Sequence, residues 1–157
     1  MSNSVYNVRK PSYPRISSSI REALPQFKIR ALLVHQEEGP LTELKFVLEG
    51  QGIETSRVRT CAEAEAALTR PEPPLLIVTD AVLADGTWAN VLKLAEKEPL
   101  AQSVIVVSRH VDIPLYLDAL ESGASDFIVL PFRVAEVAYV VEGALRRSWV
   151  APARPSA

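Results

Sequence analysis

The chain has 157 residues, of which 48% are apolar and 23% charged, and its mean hydropathy of +0.10 is typical of one folded domain rather than a disordered chain. The longest stretch without a charged residue, 99–108, has ten residues. A membrane helix needs about 20, and the N-terminus lacks the apolar core of a secretory signal. The single cysteine, Cys61, excludes an internal disulfide, so we expect a cytoplasmic protein.

Charge is distributed unevenly along the chain. Residues 1–30 carry six Lys/Arg and one acid, a net charge of +5, whereas residues 31–157 carry eleven Lys/Arg and eighteen acids, a net charge of −7. We therefore expect a basic N-terminal arm over 1–28, a folded domain over 29–149 and a disordered tail over 150–157. The arm either docks on an acidic surface of its own or a neighbouring molecule, or stays solvated.

The first half of the domain alternates apolar runs with amphipathic segments. Three strands are predicted, at 29–34, 53–58 and 75–79, and Asp80 follows the third directly. Gly39-Pro40 opens the first helix, which ends at Gly50. Thr60 and Glu63 have the spacing of a capping box at the start of a second helix, which runs to about Thr69.

The second half continues the same alternation. A loop is predicted over 81–86, followed by a helix over 87–97 and a strand over 104–107 that ends at Ser108. Asp112 is expected to cap a helix that Gly123 terminates, and a strand over 127–130 leads into a last helix over 133–148. Five strands alternating with five helices predict an α/β fold, a parallel sheet covered on both faces.

Ligands of such sheets bind at the carboxyl ends of the strands. The residues predicted at that edge are His35, Gln36, Asp80, Ser108 and Leu130. No glycine-rich phosphate loop, nucleophile elbow or histidine-rich zinc motif is present, so no enzymatic activity is expected.

Three joined features resemble the receiver domain of bacterial response regulators. They are Thr79-Asp80 followed by Leu83-Ala84-Asp85-Gly86, the segment Val106-Val107-Ser108, and the segment 119–127 followed by Leu130-Pro131-Phe132. The resemblance covers residues 29 to about 148. It implies a flavodoxin-like sheet with strand order 2-1-3-4-5.

The resemblance also implies roles for residues at the strand ends. Asp80 stands at the position of the aspartate that accepts a phosphoryl group from a histidine kinase, and Ser108 and Phe127 stand at the two switch positions. His35 and Gln36 stand where an acidic pair would hold Mg²⁺, and Leu130 stands where a lysine would contact the phosphoryl group. Phosphoryl transfer to a carboxylate brings two anions together, so it requires the Mg²⁺ ion and the lysine charge that these substitutions remove.

The departures from the family pattern leave several pocket arrangements open. Magnesium binding would need rescue by Glu37 or Glu38. Arg109 either pairs with Asp80 or remains solvated. His35 is expected to fill the vacated acidic pocket and bond to Asp80, and a transition-metal site shared with His110 is the alternative.

We therefore expect an atypical receiver domain that acts through protein–protein contact, with impaired or absent phosphorylation and no cofactor. The alternatives are a conventional magnesium-dependent phospho-receiver and a small α/β ligand-binding module or enzyme using the strand-end cleft. The expected partner is a protein, either a histidine kinase or another response regulator, and neither membrane nor DNA binding is expected. A homodimer through the fourth helix, fifth strand and fifth helix is predicted, with Leu115, Tyr116, Tyr139 and Val140 exposed there.

Overall fold

The structure is a computed structural model that describes residues 29–37, 39–98 and 102–150. The predicted N-terminal arm, the tail beyond Val150 and Glu38 lie outside the described residues. Among the described residues, no helix combines the length and the apolar character needed to cross a membrane.

Five parallel strands form one sheet in the order β2-β1-β3-β6-β7, and a two-stranded hairpin stands apart from it. The strands are β1 Arg30–Val34, β2 Glu54–Val58, β3 Leu76–Asp80, β4 Val82–Leu83, β5 Gly86–Thr87, β6 Ser103–Ser108 and β7 Asp126–Val129. The helices are α1 Pro40–Gly50, α2 Cys61–Leu68, α3 Trp88–Glu96, α4 Ile113–Glu121 and α5 Val134–Val150. Counted without the hairpin, the strand order is 2-1-3-4-5, which confirms the predicted fold.

The sheet separates two hydrophobic cores because its central strands are buried on both faces. On one face, α1 and α5 cover residues such as Leu33, Val78 and Ile105. On the other, α2, α3 and α4 cover Leu32 and Ile77, among others. Successive strand residues alternate between the two cores, as the pleat of a strand requires.

The predicted loop over 81–86 contains the β4–β5 hairpin instead. Val82 pairs with Thr87 and Leu83 with Gly86, so the chain reverses within four residues. Asp80 is the last residue of β3 rather than the residue after it, because its backbone pairs with Val107 of β6. Other element boundaries differ from prediction by one or two residues.

The hairpin turn also caps a helix that lies elsewhere in the chain. The Asp85 carboxylate accepts hydrogen bonds from the backbone N–H groups of Cys61 (2.8 Å) and Ala62 (3.1 Å) at the start of α2. These bonds satisfy donors that a helix N-terminus leaves unpaired, and the Asp85 charge favours the same end of the helix. They tie the segment following Asp80 to α2.

The predicted exposure of Val140, one of the four predicted interface residues, is wrong. Val140 is buried, with 7% of its surface exposed, because α5 packs against both the sheet and α1 and so buries a wider stripe than predicted. Tyr139, the next residue along the chain, is 81% exposed. On α4, Leu115 is half-buried against the core, whereas Tyr116 is 39% exposed.

Candidate functional site

The carboxyl ends of the central strands bring the predicted site residues to one edge of the sheet. A cleft of about 630 Å³ opens there, lined by Gln36, Glu37, Asp80, Ala81, Val82, Leu83, Ala84, Ser108, Arg109, His110, Asp112 and Leu115. Its polar groups come from the last residues of β3 and β6 and from the segments that follow β1 and β6. The parallel arrangement of those strands places them together although they lie far apart in sequence.

Asp80 is buried at the floor of this cleft and has partners on both carboxylate oxygens. Its Oδ1 accepts a hydrogen bond from the Ala81 N–H at 3.0 Å, and its Oδ2 accepts one from Arg109 Nη2 at 2.9 Å. The Asp80 side chain is 11% exposed and that of Arg109 is 33% exposed. Glu37 Oε1 lies 3.9 Å from the same Arg109 nitrogen. Of the two alternatives for Arg109, the structure therefore contains the ion pair.

His35 fills the position of the first acidic residue, but it does not bond to Asp80. Its Nδ1 lies 2.7 Å from the Glu37 carbonyl oxygen and donates to it, because a carbonyl can only accept. Both Asp80 oxygens are already used by Ala81 and Arg109. Burial is the main cause that lowers the pKa of His35, and the nearby charges of Arg57 and Arg109 lower it further. The ring is therefore neutral at pH 7.

A second guanidinium, from Arg57 on the edge strand β2, holds the segment after β1. Its Nη2 donates to the Gln36 carbonyl oxygen at 2.7 Å, and its Nε donates to the His35 carbonyl oxygen at 3.4 Å. The side chain of Gln36 is exposed. Arg57 is not among the predicted site residues, and the one sequence feature that marks it is a basic residue near the end of the strand that neighbours β1.

The two switch positions are buried and have local partners. Ser108 Oγ donates to the His110 carbonyl oxygen at 2.7 Å and accepts from the His110 N–H at 3.2 Å. Phe127 lies under Tyr116, with ring centroids 5.6 Å apart and planes at 88°, an edge-to-face contact. Leu130 is half-buried and lines a smaller cleft beside Arg109 and Phe132, so an alkyl group stands at the lysine position.

Cys61 begins α2, where a thiol can become acidic, but its surroundings have the opposite effect. Burial and the neighbouring Asp85 carboxylate raise the pKa of the thiol to about 11. At neutral pH this favours the protonated thiol over the reactive thiolate.

No protein-family model matches the chain. Among curated proteins, the alkaline phosphatase synthesis transcriptional regulatory protein PhoP of Bacillus subtilis is 32% identical to this chain over 124 residues. The matched region covers 78% of this chain and 50% of that protein. The chain spans about half the length of most of the curated relatives it matches, and 22% of the alginate biosynthesis transcriptional regulatory protein AlgB of Pseudomonas putida.

Two solved structures show the same architecture. The signal receiver domain of the LuxO repressor protein from Vibrio parahaemolyticus has a TM-score of 0.73 at 23% identity, covering 83% of this chain and all of the other. The beryllofluoride-activated NtrC4 receiver domain dimer has a TM-score of 0.66 at 27% identity, covering 76% of this chain and 98% of the other. This chain holds a response regulator receiver domain.

Among the described residues of this receiver domain, the side chains around Asp80 offer few ligands for a magnesium ion. A hard divalent cation needs about six oxygen ligands, several of them from carboxylates. Within the part of the chain that the structure describes, no group of three or more His, Cys, Asp or Glu side chains could hold a metal ion. The carboxylates that line the cleft are Glu37, Asp80 and Asp112; Asp112 caps α4 through the Leu115 N–H, and Arg109 is bound to Asp80. The described donors therefore lack the ligands that the acidic pair would supply. No third His, Cys, Asp or Glu of the described residues completes the alternative metal site of His35 with His110.

Proposed function

We propose that this receiver domain signals through protein–protein contact without phosphorylation of Asp80. The observation that carries the proposal is the 2.9 Å ion pair between Arg109 Nη2 and Asp80 Oδ2 at the floor of the cleft. It supplies, from within the chain, the positive charge that a receiver would otherwise take from a metal ion.

Two features of the cleft oppose phosphoryl transfer to Asp80. An attacking carboxylate oxygen must be free to approach phosphorus in line with the leaving group. Asp80 Oδ2 is instead occupied by a guanidinium, and Oδ1 by the Ala81 N–H. The charged groups that would bind Mg²⁺ and neutralise the incoming phosphoryl group are also missing. A neutral His35 and an exposed Gln36 stand at the acidic-pair positions, and the uncharged alkyl side chain of Leu130 stands at the lysine position. Catalytic groups that act as a unit are not replaced by retaining one of them.

The partner in this proposal is a protein, and the contact face is made by α4, β7 and α5. Exposed apolar side chains on these helices support this choice, since Ile113 is 60%, Leu117 49% and Tyr139 81% exposed. A homodimer through this face is supported by the similarity to a receiver domain that forms a dimer. A histidine kinase or another response regulator is the alternative partner.

The phosphorylation half of the proposal is tested by intact mass. The full chain is incubated with acetyl phosphate and Mg²⁺, and we expect its mass to stay unchanged. The matched gain-of-function variants are His35→Asp, Gln36→Asp and Leu130→Lys together, with and without Arg109→Ala. We expect the added phosphoryl mass only when Arg109 is also removed, because the guanidinium otherwise retains the acceptor oxygen.

Two results would support the alternatives instead. A phosphoryl mass on the wild type that disappears in Asp80→Ala, or magnesium-dependent binding of beryllofluoride, would establish a conventional phospho-receiver. A small molecule retained in native mass spectrometry, and lost when Arg109 is replaced, would support a ligand-binding cleft.

A further inference from the structure

One continuous segment of the domain carries only negative charge. Residues 110–132 contain Asp112, Asp118, Glu121 and Asp126 and no Lys or Arg. Asp112 caps α4 through the Leu115 N–H, and Asp126 accepts from the Phe127 N–H. Asp118 and Glu121 are exposed on α4, and no ion pair joins either of them to a Lys or Arg of the described residues. The helix thus presents uncompensated negative charge to solvent.

The same face of α4 is also apolar. Ile113, Leu117 and Glu121 are spaced four residues apart and form one ridge along about 12 Å of helix. They lie opposite Ala119, which is buried against the sheet. Val111, just before the helix, is 77% exposed and extends the apolar surface. A ligand for this ridge must offer apolar side chains together with positive charge.

The N-terminal arm of this chain has that chemistry. Residues 1–28 contain five Lys/Arg and one acid, a net charge of +4. Their apolar residues are interspersed with the basic ones and include Val5, Tyr6, Val8, Tyr13, Ile16 and Ile20. In the part of the chain that the structure describes, the five strands of the sheet come from residues 30–129.

The arm is long enough to reach the α4 surface from the point where it joins the domain. The arm ends at Ile29, immediately before β1, at the amino edge of the sheet. Helix α4 runs back from the carboxyl edge, so Glu121 at its end returns to the amino edge. Three strand spacings separate β1 from β7, roughly 15 Å, and 28 extended residues reach about 90 Å.

We propose that residues 1–28 bind the α4 ridge of their own domain, the surface made by Val111, Ile113, Leu117, Asp118 and Glu121. Basic side chains of the arm pair with Asp118 and Glu121, and its apolar side chains cover Ile113 and Leu117. The arm then competes with any protein that uses the α4 side of the contact face. This proposal is independent of whether Asp80 is phosphorylated.

The test is photocrosslinking from the arm in the full chain. Tyr13 is replaced by benzoylphenylalanine, the chain is irradiated at low and high salt, and the cross-linked peptides are identified by mass spectrometry. We expect cross-links to residues 111–121 whose yield falls with added salt, because exposed charge pairs are screened. Mixing isotopically light and heavy chains distinguishes links within one chain from links between two.

Charge reversal provides a matched pair of variants. Glu121→Lys should lower the cross-linking yield by about two- to fivefold, the range expected for exposed ion pairs. Glu65→Lys makes the same change on α2, where Glu65 is equally an exposed helical glutamate, and should leave the yield unchanged. Asp118→Lys is the second ridge variant, and circular dichroism confirms that each variant is folded.

Three outcomes would overturn the proposal. Cross-links between light and heavy chains would show that the arm binds a second copy of the chain rather than its own domain. Cross-links spread over other surfaces would mean that the arm has no fixed site. Equal effects of Glu121→Lys and Glu65→Lys would show that only net charge matters.

Discussion

Replacing Arg109 by alanine should destabilise the domain by about 2 kcal/mol. Removing one partner of a buried ion pair costs roughly 3–5 kcal/mol, whereas an exposed pair contributes about 0–1 kcal/mol. Asp80 is on the buried side, with 11% of its side chain exposed, but Arg109 is 33% exposed and solvent screens the pair. After the substitution, Asp80 keeps only the Ala81 N–H as a described partner, and its charge loses most of its compensation.

The reverse substitution should cost less. In Asp80→Asn, the guanidinium of Arg109 remains a third exposed and lies 3.9 Å from Glu37, so water and a second carboxylate can solvate it. We expect a loss of about 0.5–1 kcal/mol. A larger loss of stability in Arg109→Ala than in Asp80→Asn would show that the buried Asp80 carboxylate requires a positive charge beside it. An exposed ion pair would give small losses for both substitutions.

Urea denaturation measures both substitutions, with unchanged m-values showing that the two-state comparison holds. Arg70→Ala, on an exposed segment, serves as the control and should stay within about 0.5 kcal/mol of the wild type. A double-mutant cycle of Arg109→Ala with Asp80→Asn should give a coupling of about 1 kcal/mol. The reasoning is refuted if Arg109→Ala costs no more than Arg70→Ala, or less than Asp80→Asn.

Three further predictions follow from the described residues. Burial lowers the pKa of His35 below its ordinary 6.5, so as the pH falls the imidazole is protonated in the unfolded chain before it is protonated in the folded domain. The free energy of unfolding should therefore fall as the pH drops below about 6.5, by at most about 1.4 kcal/mol per unit, and His35→Gln should flatten that slope in urea titrations. Cys61, with a thiol pKa of about 11 against an ordinary 9.0, should react with iodoacetamide at pH 8 roughly 100-fold more slowly than in the urea-unfolded chain. Asp85→Asn should speed that reaction, and an unchanged rate would mean that Asp85 has no effect on the thiol. Leu117→Glu with Tyr139→Glu should leave the far-ultraviolet dichroism native and abolish a homodimer in sedimentation, whereas a monomeric wild type at high concentration would contradict the homodimer.

The fold and the location of the site follow from the amino-acid sequence alone. Apolar runs of strand length alternating with amphipathic segments leave a parallel sheet as the arrangement that buries both faces of each strand. Once the sheet is parallel, the residues that end its strands must meet at one edge. His35, Asp80 and Ser108 were predicted there on that ground, and their side chains are found there.

The hydrogen-bond partners of these side chains depend on three-dimensional packing and could not be predicted from the sequence. Arg109 had two arrangements open because a long side chain after a strand can turn to the cleft or to water, and the choice depends on the position of Asp80 on another strand. His35 bonds to the Glu37 carbonyl rather than to Asp80, whose Oδ2 accepts from Arg109, and local sequence does not encode this choice of partners. Val140 is buried because α1 lies beside α5, and helical periodicity locates one packed stripe but not the neighbour that widens it.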